Sequence, residues 1–225
     1  MSPKVVFENK DFFVIDKPAG LLVQPTKYQK ENTLVDWLIK NYSETKLIGK
    51  ENRYGIVHRL DKDASGLMVI AKNKKIYYHL INQFKNQKVK KKYLVLVNNC
   101  PPTNEGIIDF PIGRTKRGKI VAVKYRKKIK FEKKAKTKYK IKKNFNNYTL
   151  LEVEPLTGRT NQIRVHLKAI NCPVVGDKKY IKDKSELNRI FLHACYLSFS
   201  DLNGKWFEFF SNLPQDLKKF LDKLD

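Results

Sequence analysis

Short apolar runs recur along this chain at uneven spacing, and that pattern constrains the fold more than any other feature. Residues 5–16 alternate as a strand does and stop at Lys17-Pro18-Ala19-Gly20, where proline fixes φ and glycine permits a turn. Residues 67–71, LMVIA, form a continuous apolar run with the character of a buried strand. Further strands are predicted at 93–97, at 135–141 and at 149–155, the last two joined through Asn146-Asn147 as a hairpin. Helices fall between them. One starts at Thr33, with Asp36 as capping partner and Leu34, Trp37, Leu38 and Ile39 as its apolar side. A second follows the cap Asn73, with Ile76, Tyr77, Leu80, Ile81 and Phe84 at helical spacing. A third opens at Pro214 and turns Leu217, Phe220, Leu221 and Leu224 inward. Strands interleaved with short helices, without regular βαβ spacing, predict an α+β fold: a mixed, mostly antiparallel central sheet with flanking helices and loops. The 225 residues suit one unit, and we expect a single domain over 1–225.

Charge narrows the class of partner. Lys and Arg number 47 against 22 Asp and Glu, a formal charge of +25. Such an excess implies a polyanion, nucleic acid first. Much of the lysine accompanies abundant Asn, Ile, Tyr and Phe, so composition alone assigns nothing. Cys100, Cys172 and Cys195 are odd in number and share no CxxC spacing, which suggests neither a disulfide framework nor a zinc site. No apolar run is long enough to cross a bilayer, and the start alternates instead of offering a leader's apolar block. We expect a cytoplasmic protein with no membrane partner.

Two segments carry candidate chemistry. HRLDKDASGL, at 58–67, places Asp61 in a turn-rich run just before the buried strand, with Arg59 beside it. PLTGRTNQIRVHLKAINCPVVGD, at 155–177, is a glycine-punctuated turn holding Arg159 that leads into a helix holding Arg164 and His166. The most basic block lies at 126–143, and within it Ala135, Thr137, Tyr139 and Ile141 point one way while Lys136, Lys138 and Lys140 point the other. This lysine comb is either a track for phosphates or a solvated face that discourages strand pairing. His58, His166 and His193 lack metal-ligand spacing, and structural hydrogen bonding suits them better.

The two segments together resemble the RluA-type pseudouridine synthases: HRLDKDASGL is similar to the family's active-site signature and TGRTNQIRVH to its later arginine motif. FFVIDKPAGLLVQPT at 12–26, KKYLVLV around Tyr93, and FLHA at 191–194 fall in the same order. The resemblance implies the pseudouridine synthase fold, with no separate N-terminal RNA-binding domain. It implies isomerisation of uridine in structured RNA, a ribosomal or transfer RNA stem-loop, without cofactor or metal. Asp61 would be the catalytic carboxylate, and Arg164 the cation that holds its charge. Tyr93 would be the ring that stacks on the flipped uracil and assists proton removal at C5. Arg59 would enter the RNA stack, and Arg159 would contact phosphate or scaffold. The family commonly has His where this chain has Asn161, and often Thr where it has Ala64. An amide keeps hydrogen bonding but cannot replace an imidazole's titration.

Three other readings compete. A basic RNA-binding or assembly factor on the same scaffold, without chemistry, would be indifferent to loss of Asp61. A metal-dependent nuclease needs several converging carboxylates, and only Asp61 and Asp63 cluster here. A methyltransferase or reductase needs a cofactor cradle, and no GxGxxG follows a strand.

Overall fold

The computed structural model describes residues 2–26, 31–49, 53–124, 129–181 and 185–224, so residues 126–128 of the basic block lie outside the described residues. In chain order the elements are β1 (Lys4–Glu8), β2 (Phe12–Lys17), α1 (Leu34–Asn41), a 3-10 turn (Ser43–Leu47), β3 (Ser65–Ala71), α2 (Lys74–Lys85) and β4 (Lys90–Asn98). Then come β5 (Glu105–Ile108), β6 (Ile112–Arg114), β7 (Ile120–Ala122), β8 (Lys130–Lys133), β9 (Thr137–Asn144) and β10 (Tyr148–Pro155). The chain ends with α3 (Gln162–Ala169), β11 (Leu192–Ser200), β12 (Trp206–Phe210) and α4 (Gln215–Asp222). This is the α+β architecture with mixed, mostly antiparallel strands that the apolar spacing predicts.

The chain divides into two compact units, Met1–Lys91 with Ala194–Asn212, and Lys92–His193 with Leu213–Asp225. In the first, strands run in the order β1-β2-β3-β11-β12. Its core gathers Phe12, Val14, Leu67, Val69, Ile76, Leu80 and Phe199, with Phe7 and Phe207 packed against them. In the second, β4-β10-β9-β5 pair antiparallel and β7-β6-β8 make a separate small sheet. Leu217 of α4 is fully buried and joins Leu96, Val175 and Phe191.

Local chemistry explains most boundaries. The Thr33 hydroxyl accepts from the Asp36 N–H while the Asp36 carboxylate accepts from the Thr33 N–H, a reciprocal capping box that starts α1. Asn73 caps α2 through the Ile76 N–H. Two expectations shift. The single strand at 5–16 is a hairpin, because the Asn9 side chain accepts from the N–H groups of Asp11 and Phe12 and folds the chain back. In α1, Val35 is buried and Ile39 is 39% exposed, so the apolar face is rotated from the one expected.

The strand that follows Asp61 is set by a steric fact. Gly66 has φ +116°, and a Cβ there would lie 2.3 Å from the carbonyl oxygen of Ala194 in β11. The two backbones approach closer than any side chain allows. Every residue of β3 is buried. Upstream, the His58 ring accepts the Val69 N–H at 3.1 Å through Nε2 and stacks on Phe84 with centroids 4.6 Å apart. Burial pushes the His58 imidazole down to about 3, and the Lys91 charge adds to the effect.

Two outcomes are expected. Gly66→Ala destabilises the fold by at least ~2 kcal/mol in denaturant unfolding, since it adds both strain and overlap; unchanged stability would show that β3 and β11 can part. His58 stays neutral when folded until about pH 3, whereas the unfolded chain takes up its proton near pH 6.5. Its stabilisation is therefore complete above that value and is lost as pH falls, at up to about 1.4 kcal/mol per pH unit. Thermal melts from pH 7 to 5 should fall less steeply for His58→Gln than for wild type.

Candidate active site

Asp61 sits on a turn whose backbone is held from several sides. Leu60 is buried, Arg59 is exposed and Asp61 is half-buried. The Ala64 N–H donates to the Asp61 carbonyl at 3.2 Å and closes the turn. The Lys62 carbonyl accepts from the Gly20 N–H at 2.9 Å and from the Lys17 ammonium at 3.1 Å, both in the KPAG segment. The side chains of Lys62 and Asp63 are exposed, so this turn has no apolar anchor between Leu60 and Ala64. Backbone hydrogen bonds hold it instead. Ala64 is almost fully buried, which leaves its position a packing site without a hydroxyl.

The arginine motif forms the second assembly. Asn161 adopts a left-handed conformation, φ 54°, at the start of α3, a geometry that asparagine tolerates better than most residues. Gln162 fixes the turn before it. Its Oε1 accepts from the Thr157 hydroxyl at 2.7 Å and the Arg159 N–H at 2.9 Å, and its Nε2 donates to the Lys136 carbonyl at 2.9 Å. One turn into the helix, Arg164 is 8% exposed and makes a two-pronged pair with Asp177, Nε to Oδ2 at 2.8 Å and Nη2 to Oδ1 at 2.7 Å. The Asn161 Oδ1 accepts from Arg164 Nη1 at 3.4 Å, and the Asn161 amide donates to the Tyr180 hydroxyl at 2.9 Å. The Tyr180 ring lies 5.0 Å from the guanidinium carbon. Gly176, just before Asp177, has φ +79°, and a Cβ there would lie 1.9 Å from the Arg189 carbonyl oxygen. The loop that carries Asp177 is thereby locked.

The remaining sequence candidates fall as follows. Tyr93 lies on β4, 8% exposed, opposite Val153 of β10. It belongs with Arg164 to the second unit, and Asp61 and Arg59 belong to the first. Arg159 is exposed, and its Nε donates to the Lys134 carbonyl at 3.1 Å. The comb alternates as read: Thr137 and Tyr139 are buried, and Lys136, Lys138 and Lys140 are exposed. Carboxylates face it. Lys136 pairs with Asp109 at 3.0 Å, Lys138 stands opposite Glu154, and Lys140 stands opposite Glu152 and Glu105. His166 bridges the Thr137 hydroxyl and the Phe110 carbonyl, and burial lowers its pKa. Among the described residues no group of three or more His, Cys, Asp or Glu could hold a metal ion, and no helix is long and apolar enough to cross a membrane. Two contributors escaped the sequence reading, Lys17 and Asp177. Asp177 ends one quoted motif segment and Lys17 lies within another, but only a long-range contact gives either a role.

A family model described as RNA pseudouridylate synthase matches residues 11–169, which include both the Asp61 turn and the arginine motif. An uncharacterized RNA pseudouridine synthase of Chloroflexus aurantiacus is 43% identical over 93% of this chain and 65% of its own length. The ribosomal large subunit pseudouridine synthase D of Borreliella burgdorferi is 35% identical over 96% of this chain and 67% of its own. The chain thus spans about two thirds of the length of these relatives. Among solved structures, human RNA pseudouridylate synthase domain containing 1 superposes with a TM-score of 0.79 at 25% identity, covering 100% of this chain and 86% of the other. With the fold, the order of motifs and the matched span in agreement, the chain belongs to the RNA pseudouridylate synthase family.

Proposed function

We propose that this chain isomerises uridine to pseudouridine in structured RNA, with Asp61 as the catalytic carboxylate. The observation that carries the reading is the matched family span, within which Asp61 stands half-buried on a turn braced through its backbone. The reaction breaks the bond from N1 to C1′, turns the uracil in place and joins C5 to C1′; the proton lost from C5 is balanced by the one gained at N1. No atom is gained or lost, so the work is positioning and charge stabilisation in a pocket that retains the detached base. An ionised carboxylate next to the sugar and base serves that chemistry. The roles set out for Tyr93 and Arg164 form part of the proposal, and Asp177 and Asn161 fix the guanidinium of Arg164 in one orientation. Arg59 is assigned the displacement of a stacked nucleotide, a role that its exposure two residues from Asp61 supports.

The name of the Borreliella burgdorferi relative supports ribosomal RNA over transfer RNA as the substrate class. Arg159 and the comb lysines Lys136, Lys138 and Lys140 are proposed RNA contacts, working through phosphate charge more than base reading. We assign the protein to the cytoplasm and treat the chain as a single catalytic domain.

Wild-type protein should release tritium from C5-labelled uridine in ribosomal RNA transcripts with metal chelated and no cofactor added. Asp61→Asn should release none while binding RNA within about threefold of wild type; normal turnover by that variant would remove Asp61 from its role and favour an RNA-binding scaffold. Replacing Lys136, Lys138 and Lys140 together by Gln should weaken binding and lower the salt slope by about one to three units. An unchanged slope would mean that these lysines serve their facing carboxylates and not phosphates.

A further inference from the structure

We propose that the outer face of α2 is a docking surface for the phosphate backbone of the stem that flanks the modified uridine, an inference that rests on the chain acting on structured RNA. Between Asp63 and Glu105 the sequence holds eight lysines and no acidic residue. α2 lies in the middle of that stretch. At about 3.6 residues per turn, Lys74, Lys75, Tyr78, Asn82 and Lys85 share about 100° of the helix circumference, opposite the buried Ile76, Leu80 and Gln83. All five are exposed, and Tyr78 stands between the lysines with 60% of its surface open. Beyond the helix, Lys88 and Lys90 are exposed too.

Stability alone does not account for this face. Lys74 and Lys75 occupy the first turn of α2, where no acidic residue stands and positive charge opposes the helix dipole. No glutamate follows three or four residues on to offset them. Of the eight lysines, Lys72 pairs with Glu8 and Lys92 with Glu152, whereas among the described residues Lys74, Lys75, Lys85, Lys88 and Lys90 enter no ion pair. The comb of β9 differs, since Asp109, Glu105, Glu152 and Glu154 face it. A lysine-rich composition would load both elements with lysine but would not strip one of them of acids. A face of one sign around an exposed aromatic ring is what a polyanion requires. The face also leads to the candidate site within the same unit. Phe84, near the C-terminal end of α2, stacks on His58 with centroids 4.6 Å apart, and the Lys91 ammonium lies 5.6 Å from the Phe84 ring. His58 opens the segment that carries Arg59 and Asp61. From Lys74 to Lys85 the helix runs about 16 Å, so these lysines extend the site along the RNA and away from the flipped base.

The test replaces Lys74, Lys75 and Lys85 together by Gln, and in parallel by Arg, in the full chain. Each protein is measured on a ribosomal RNA transcript that wild type modifies, and on the same target trimmed to its loop and closing base pairs. On the long transcript the Gln variant should bind about tenfold more weakly, with the salt slope lowered by about two to three units. Its KM should rise by about the same factor while kcat stays within about twofold of wild type. On the trimmed RNA the Gln variant and wild type should bind within about twofold of each other, and the Arg variant, which keeps the charge, should match wild type on both. An unchanged affinity and slope on the long transcript overturns the proposal. So does an equal loss on both RNAs, a loss shared by the Arg variant, or a loss that only follows a lowered folded fraction in thermal melts. Failure of wild type to release tritium from any RNA overturns the proposed function and this inference with it, whereas wild-type turnover beside an unaffected Gln variant removes the α2 surface alone.

Discussion

The close approach of β3 to β11 at Gly66 is the constraint from which the Asp61 segment takes its place. Because the Ala194 backbone occupies the space where a Cβ would stand, β3 has one way to enter the sheet. The residues before it must then turn sharply out of the core. His58 secures the start of that exit by accepting a backbone proton from β3 itself, and Leu60 secures its middle by burial. A carboxylate five residues before the strand's approach at Gly66 would otherwise sit on a loose surface loop. The sheet's rigidity is instead passed to it through backbone bonds, as sites built on regular elements require.

A different principle governs the arginine motif. Its guanidinium is fixed by a carboxylate in two-pronged geometry, by an amide oxygen and by an aromatic face, each from a different point along the chain. Asn161 serves this assembly twice: its backbone takes the left-handed turn that starts α3, and its side chain links Arg164 to Tyr180. Asparagine suits the place by its conformational tolerance and its paired donor and acceptor.

Features set by local chemistry were legible in the sequence. The caps at Thr33 and Asn73, the buried run LMVIA, the hairpin at 146–147 and the alternation around Tyr139 depend on neighbours within a few residues. The Asn9 turn was hidden because its side chain interrupts an alternating pattern without changing it. The strands of three or four residues, β5 to β8, are too short to show a period. The motif Asp and Arg were legible through their setting, but Lys17 and Asp177 gain meaning only from partners 45 and 13 residues away. A lysine at a strand end and an aspartate after a glycine look like solvent-facing residues until the fold closes over them.

The lysine comb has a consequence apart from any ligand. Lys138 and Lys140 stand against Glu154 and Glu152 of β10, and Lys140 also against Glu105 of β5. A one-residue slip of β9 would turn both lysines toward the side now filled by Thr137 and Tyr139, and would break every opposite-charge pairing at once. The charge pattern thus acts as a lock on strand alignment: it penalises the misregistered sheet that a repetitive Lys-rich strand would otherwise be prone to form.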